Sequence, residues 1–398
     1  MGLRSELNRH VPPAAPGEFD APRIGPLEVW PPVVLAPMAG VTNAPFRSLC
    51  REFGAGLYVS EMVTARGLVD GHLKTTRLAH FDPDESPRSI QLYGTEPESI
   101  RRAVDLLVGE GRVDHIDMNF GCPVAKVTRH GGGSAVPLKP RLLARLVRAA
   151  VRGAGEVPVT IKVRKGIDED LLTYLDSGRV AEEEGVAAIG LHARTAAELY
   201  SGQADWGAIR ELKQSVGIPV LGNGDIWESW DALRMMRETG CDAVIVGRGC
   251  LGRPWLFREL AQVFDGVEPD GAPALGEVVR IALRHAELLS EFFGEHPAMR
   301  QMRKWIGWYT KGFDVASALR SSLSEIGSLD GLKSLLGGLP LDEPFPLRAL
   351  SMGRAKRGGR QRVRLPEGYL DDLQDDTPPR GPRTREEIEV WERVHSGG

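Results

Sequence analysis

The chain has 398 residues, 42% hydrophobic and 26% charged, with a formal net charge of −4. That length allows one large domain plus a smaller one, and the charge balance excludes a globally basic nucleic-acid binder, so any such role must rest on local patches. There is no apolar run of the roughly 18 residues a membrane span needs, no apolar signal stretch at the start, and no CxxC pair among Cys50, Cys122, Cys241 and Cys250; a reduced, cytoplasmic protein without disulfides, metal or membrane is expected.

Prolines at 12, 13, 16, 22, 26, 31 and 32 oppose helix and sheet, and residues 1–31 are expected to form a flexible arm. From Val33 onward short β-branched runs alternate with amphipathic stretches. Eight candidate strands are Val33–Pro37, Leu57–Glu61, Ser89–Tyr93, His115–Asn119, Val159–Val163, Ala188–His192, Pro219–Gly222 and Ala243–Gly247. After Pro97, apolar residues at 100, 103, 104, 107 and 108 recur at the helical period, and Leu142–Val151 and Trp230–Arg237 repeat the pattern. Eight strand–helix units predict an α/β fold, a (β/α)8 TIM barrel over residues 32–268, close to the usual length of about 250 residues. A doubly wound open sheet is the alternative, weakened because no Gly-x-Gly-x-x-Gly follows the first strand.

Past the barrel the strands stop. Val278–Phe293, Pro297–Tyr309, Val315–Ser324 and Leu329–Leu336 read as helices of a small all-helical domain over 269–346. In 347–398 a basic run (Arg354, Lys356, Arg357, Arg360, Arg362, Arg364) gives way to an acidic one (Asp371, Asp372, Asp375, Asp376). A mobile charged tail is expected there, with a last helix at Arg385–Val394.

Active sites of such barrels lie at the C-terminal ends of the strands. Polar and small residues collect there: Pro37-Met38-Ala39-Gly40, Glu61, Gln91, Asn119 with Cys122, Lys162 with Arg164, His192 with Arg194, Asn223-Gly224-Asp225, and Gly247-Arg248-Gly249. The glycines of the last two strands let backbone amides approach a ligand and Arg248 adds positive charge, so a phosphate-bearing cofactor is expected at that corner. Tight turns alone are the plainer reading. Lys162 alternates with Ile161 and Val163 and so points into the barrel. There it needs an anionic partner, either a carboxylate or the N1–C2=O edge of a reduced flavin. Cys122 sits between a strand end and a basic loop (Lys126, Arg129, His130) that runs into Gly131–Gly133, glycines that predict a lid closing over a substrate. Cys50, Cys241 and Cys250 read as small core residues.

Four runs carry a family resemblance: Leu35-Ala-Pro-Met-Ala-Gly-Val-Thr-Asn-Ala-Pro-Phe-Arg47, Asp117-Met-Asn-Phe-Gly-Cys-Pro-Val124, Leu191-His-Ala-Arg-Thr195 and Val246-Gly-Arg-Gly-Cys-Leu-Gly-Arg-Pro-Trp255. Over about residues 30–340 the chain resembles the tRNA-dihydrouridine synthases, closest in its Gly-Cys-Pro-Val form to the bacterial B-type branch. The resemblance implies a flavin barrel with a helical tRNA-binding domain, reducing uridines of the tRNA D loop with FMN and NADPH (or NADH). It implies FMN contacts from Pro37, Met38, Ala39, Gln91, Lys162, His192, Asn223, Asp225, Gly247 and Arg248. It makes Cys122 the catalytic acid, with Asn119 beside the uracil. Ala193 stands where many members carry glycine.

The chemistry suits these residues. Hydride addition at uracil C6 leaves negative charge at C5 and the carbonyl, and a thiol with a pKa near 8.5 is still protonated at neutral pH to supply the proton. Lys126 and Arg129, and Arg303 and Lys304 of the helical domain, are candidates for RNA phosphates, and Arg194 for RNA or the flavin phosphate. Trp305, Trp308 and Tyr309 at helical spacing read as core. The remaining readings are a flavin barrel acting on a free pyrimidine and a tRNA-binding chaperone with a vestigial flavin site. A monomer is expected.

Overall fold

The computed structural model of the protein describes residues 4–379 apart from Ala55, Ser351 and 355–358. Eight parallel strands close into a barrel in chain order: β1 (Val33–Leu35), β2 (Leu57–Thr64), β3 (Ser89–Tyr93), β4 (His115–Phe120), β5 (Val159–Arg164), β6 (Ala188–His192), β7 (Val220–Asn223) and β8 (Ala243–Val246), with β8 pairing back onto β1. The outer helices are α1 (Ala44–Arg51), α2 (Pro97–Gly109), α3 (Pro140–Ala154), α4 (Tyr174–Glu183), α5 (Trp206–Ser215), α6 (Ser229–Thr239) and α7 (Leu256–Phe264). This is a (β/α)8 barrel. The strands are buried on both faces, which is why they read as near-continuous apolar runs.

The two faces of each strand serve different cores. Ile161 and Val163 turn outward into the large core beneath the helices, so Lys162 and Arg164 face inward, as the period of two requires. A smaller core fills the lower barrel: Val34, Leu57, Val59, Leu221 and Ile245 pack with Ile24 and Val29. Ile24 belongs to, and Val29 directly follows, a short antiparallel ribbon (Arg23–Ile24 with Leu27–Glu28) that closes the N-terminal mouth. Polar chemistry is thereby left to the opposite, C-terminal mouth.

That ribbon is part of the segment expected to be a flexible arm, and over residues 4–31 the expectation fails. The Arg4 guanidinium stacks 3.7 Å from the Trp230 ring centroid, Asn8 Nδ2 donates to Asp231 Oδ1 at 2.8 Å, Ala14 N–H donates to Val263 O at 2.8 Å, and Phe19 meets Phe264 edge-on. Prolines bar helix and ladder but not docking: an already extended chain loses little entropy on binding a surface.

Helices α8 (Leu275–Phe293), α9 (Glu295–Tyr309), α10 (Ala316–Ser322) and α11 (Leu329–Gly337) follow the barrel. Their aromatic seam packs against α1: Phe46 lies 4.7 Å from Trp305 between ring centroids, His285 lies 4.5 Å from Trp305, and the Tyr309 hydroxyl bonds His285 Nδ1 at 3.1 Å. Trp305 and Tyr309 are core, and Trp308 is half-buried beside them. Beneath α1, Arg47 and Glu85 form a fully buried bidentate pair, Nε–Oε1 2.5 Å and Nη2–Oε2 2.8 Å.

The tail is a second correction. Residues 359–379 do not trail into solvent but strap along one side of the C-terminal rim, over the loops after β4 to β6, with Tyr369 only 5% exposed. Lys356, Arg357 and the expected helix at Arg385–Val394 lie outside the described residues.

Candidate active site

The floor of the upper barrel is a continuous hydrogen-bonded chain through three adjacent strands. Ser89 Oγ bonds His115 Nδ1 at 2.6 Å, and His115 Nε2 bonds Thr160 Oγ1 at 3.0 Å. The Thr160 hydroxyl donates to Asp117 Oδ1, and Gln91 Nε2 donates to Asp117 Oδ2, both at 2.6 Å. Asn119 Nδ2 donates to Gln91 Oε1 at 2.8 Å, and Asn119 Oδ1 accepts the backbone N–H of Gly121 at 3.2 Å and of Cys122 at 3.0 Å. Parallel register makes this possible, with Gln91 beside Asp117 and Asn119 beside Lys162. Burial raises Asp117 to about 6 against the hydrogen bonds of Thr160 and Gln91, and burial lowers His115 to about 3, so it is neutral.

This chain ends at the loop that holds the thiol. Cys122 is half-buried, while Cys50, Cys241 and Cys250 are buried in the core. Burial pushes the Cys122 thiol up, against the N–H of Val124 and the charge of Arg164. Arg164 is itself a brace: Nε donates to Gly121 O at 3.0 Å, and Nη1 donates to Thr195 O and Leu199 O. The Cys122 carbonyl accepts the N–H of Ser134 at 3.1 Å. Gly133, at φ +56°, passes so close that a Cβ there would lie 2.5 Å from that carbonyl. Residues 131–138 are all buried, so the expected lid is here a packed wall, and its glycines answer to close approach rather than to hinge motion.

Strands β5 to β8 build a cationic corner. Lys162 Nζ donates to Asn223 Oδ1 at 3.0 Å, and Asn223 Nδ2 donates to Ile245 O. Lys162 forms no ion pair with any carboxylate among the described residues, and burial with the charge of Arg164 lowers it to about 8. His192 lies well below the ordinary imidazole range through burial and through Arg164, Lys162, Arg194 and Arg248 around it. Arg248 rests 4.2 Å from the Tyr200 ring centroid and 5.1 Å from that of Trp227. Between β7 and its helix the chain takes φ +138° at Gly224 and +55° at Asp225, and a Cβ on Gly249 would lie 2.2 Å from Ile226 O. Met38 sulfur would meet a Cβ on Gly247 at 3.9 Å, which places the end of β1 beside β8. Pro37 and Met38 are half-buried there and Ala39 is exposed.

The dihydrouridine synthase family model matches residues 34–337. The chain belongs to the dihydrouridine synthase family. A probable tRNA-dihydrouridine synthase of Mycobacterium tuberculosis is 53% identical over 369 residues, covering 90% of this chain and 95% of that one. A probable tRNA-dihydrouridine synthase of Mycobacterium leprae is 50% identical over 377 residues, covering 87% and 98%. The tRNA-dihydrouridine synthase B of Pseudomonas aeruginosa is 40% identical over 309 residues, covering 77% and 92%.

In this member of the family the basic residues expected to meet RNA divide into two groups. Lys126, Arg129 and Arg303 are exposed; Arg129 Nε donates to His130 Nε2, and Arg303 Nη2 to Ile326 O at 3.2 Å. Lys304 turns back toward the barrel, donating to Gly40 O at 3.0 Å over the Trp308 ring, and its charge faces Glu61, whose carboxylate accepts the N–H of Gly40. Arg194 does not reach the rim. It is 1% exposed, with Nη2 on both oxygens of Asp225 (2.9 and 2.7 Å) and on Gly202 O, and Nε on Ser201 O. A half-buried carboxylate partner in the loop after β7, Asp225, draws the guanidinium inward. Its Nη1 is buried without a hydrogen-bond partner among the described residues. Sequence reasoning missed Asp117 as a site residue, although it opens the Asp-x-Asn run whose alternation sends both side chains to one face. It also missed Tyr200, which no spacing signals. Among the described residues no helix is long and apolar enough to cross a membrane, and no cluster of three or more His, Cys, Asp or Glu could hold a metal ion.

Proposed function

We propose that this protein is a flavin-dependent tRNA-dihydrouridine synthase that reduces the C5=C6 bond of D-loop uridines, with Cys122 delivering the proton to C5. Family membership and the names of the relatives support the reaction. The observation that carries the mechanism is the pairing of one half-buried thiol, its backbone held by Asn119, with a half-buried inward lysine that forms no ion pair with a carboxylate among the described residues.

The residues fit an FMN. Four cations (Lys162, Arg164, Arg194, Arg248) crowd His192, and Asp225 neutralises only part of that charge. The unpartnered Nη1 of Arg194 and the glycines after β7 and β8 suit a phosphate. Lys162 and Gln91 would hold the ring system, with Pro37, Met38, Ala39, His192, Asn223, Asp225, Gly247 and Arg248 around the rest. A bound flavin supplies the hydride for uracil C6 and is itself reduced by NADPH or NADH.

The chain's own residues do the remainder. Lys162 offsets negative charge in a site where water is scarce and charge interactions are strong. Cys122, its pKa raised by burial, stays a thiol at neutral pH and protonates C5; Arg164 stabilises the thiolate left behind. Asn119 holds the Cys122 N–H and so the position of the sulfur. Extruding the base costs a few kcal/mol, offset by phosphate contacts of Lys126, Arg129 and Arg303. Lys304 contributes by fixing the helical domain to the barrel, which it reaches at Gly40.

The test is Cys122→Ala on purified protein with unmodified tRNA. Dihydrouridine formation should fall at least 10²-fold while NADPH still bleaches the bound flavin. Full dihydrouridine formation in that variant overturns the acid assignment.

A further inference from the structure

The strap ends the part of the chain assigned so far, and the family match stops before it, at residue 337. Gln361 anchors it to the rim of the site: its backbone N–H donates to Ala197 O at 2.8 Å, and its Nε2 to Pro123 O at 2.8 Å and Ala196 O at 3.0 Å. One side chain thus joins the residue after Cys122 to the loop after β6. Exposure then alternates. Gln361, Val363 and Leu365 are half-buried, the latter two against Ala135, Leu138, Ile167, Ala196 and Tyr369, whereas Arg360, Arg362 and Arg364 are exposed.

The charges are sorted the same way. Asp375 pairs with the buried Lys139 at 2.8 Å, and Asp376 with Arg145 at 3.3 Å, so these acids face the barrel. No carboxylate among the described residues pairs with Arg360, Arg362 or Arg364. Glu367, Asp371 and Asp372 are exposed further along, which ends the positive stretch at Arg364.

We infer that Arg360, Arg362 and Arg364 form a phosphate-binding rail for RNA on the rim of the active site, separate from the contacts of the helical domain. The inference rests on the tRNA reading above. Alternate residues of an extended chain stand about 6.6 Å apart, a separation that suits successive phosphates of one strand. The chain is docked before RNA arrives, so little ordering entropy opposes binding. RNA rather than an acidic protein is favoured because the row flanks the mouth that must admit a nucleotide, one residue from Cys122.

The experiment compares full-length protein with R360Q/R362Q/R364Q and with the triple lysine variant, measuring tRNA affinity across a salt series. The glutamine variant should bind roughly tenfold more weakly at low salt, with a slope of log K against log salt shallower by about 2 to 3 for three lost phosphate contacts. The lysine variant should keep the slope of the parent, since a phosphate needs charge rather than a planar fork. All three proteins should share one thermal midpoint, because the side chains are exposed. A glutamine variant with the parent's affinity and slope overturns the rail, also where that variant loses binding to an acidic protein instead. If the parent neither binds nor modifies tRNA, the tRNA reading falls and the rail with it. If the parent modifies tRNA and the glutamine variant binds it unchanged, the rail alone falls.

Discussion

Asp117 sets which way round the amide of Gln91 lies: Oδ2 sits 2.6 Å from Nε2. An ionised carboxylate only accepts hydrogen bonds, so the NH₂ end of Gln91 must face it. Gln91 Oε1 then faces Asn119 Nδ2, and Asn119 Oδ1 is left to receive the Cys122 N–H. A single acceptor-only group thereby gives direction to a chain that ends at the reactive cysteine.

Asp117→Asn keeps the shape and removes that direction. One of its two ends becomes a donor, which opposes either Gln91 or the Thr160 hydroxyl. We expect a stability loss of about 1–3 kcal/mol, the usual cost of an unsatisfied buried polar group, together with slower dihydrouridine formation. Denaturant unfolding and single-turnover rates check it; a variant as stable and as fast as the parent removes the relay.

Lys162 carries the pH dependence. Its pKa is lowered by burial and by Arg164 to about 8, so it is charged below that pH and neutral above. A site that uses this charge to offset negative charge on the cofactor loses it as pH rises. Stopped-flow reduction of the flavin by NADPH should therefore slow as pH rises through about 8, and Lys162→Met should be slow throughout and lack that step. An unchanged step in the variant assigns the titration elsewhere.

Gly133→Ala combines two costs. The residue sits at φ +56°, and its Cβ would stand 2.5 Å from Cys122 O and 3.0 Å from Cys122 Cβ. The left-handed backbone alone costs roughly 1–2 kcal/mol, and the clash displaces the residue that bears the thiol. Lower stability and a lower rate of uridine reduction should appear together, with flavin affinity within about twofold of the parent's, since the cationic corner lies on other strands. Unimpaired reduction would show that the thiol tolerates the shift.

Tyr369 pins the strap to the catalytic loop. Its hydroxyl lies 3.2 Å from Ala135 O and its ring 4.7 Å from Lys139 Nζ, while Gly131 faces both Tyr369 and Pro379. Tyr369→Ala should free the strap and expose the loop, since truncating a buried aromatic typically costs about 3–5 kcal/mol. Trypsin should then cut after Arg129 several-fold faster. Equal protection in the variant means the loop holds itself.

Much of the barrel was legible because a strand buried on both faces must be apolar along its length. Val159-Thr-Ile-Lys-Val-Arg164 shows the limit of that signal. Alternation puts Lys162 and Arg164 on one face, yet only coordinates separate their tasks: Lys162 meets an amide oxygen, while Arg164 clamps three carbonyls. Lys304, and Arg194 in its RNA reading, were misplaced for a related reason. A long cationic side chain reads as surface, but Asp225 and Gly40, at 31 and 264 positions' remove, draw these two inward. The arm and the tail were misread because composition reports what a segment cannot form by itself, not what it docks against.

By itself the amino-acid order determined the alternation of strands and helices, the inward face of each strand and the residues at its C-terminal end, because those follow from local periodicity. Tertiary structure alone decided that Asp117 governs Gln91, that Gly133 must lack a side chain, and that the strap meets the rim at Pro123. Each of these depends on atoms well separated in the chain that the folding of strands and loops against one another brings close, a relation that the local hydrophobic period does not contain.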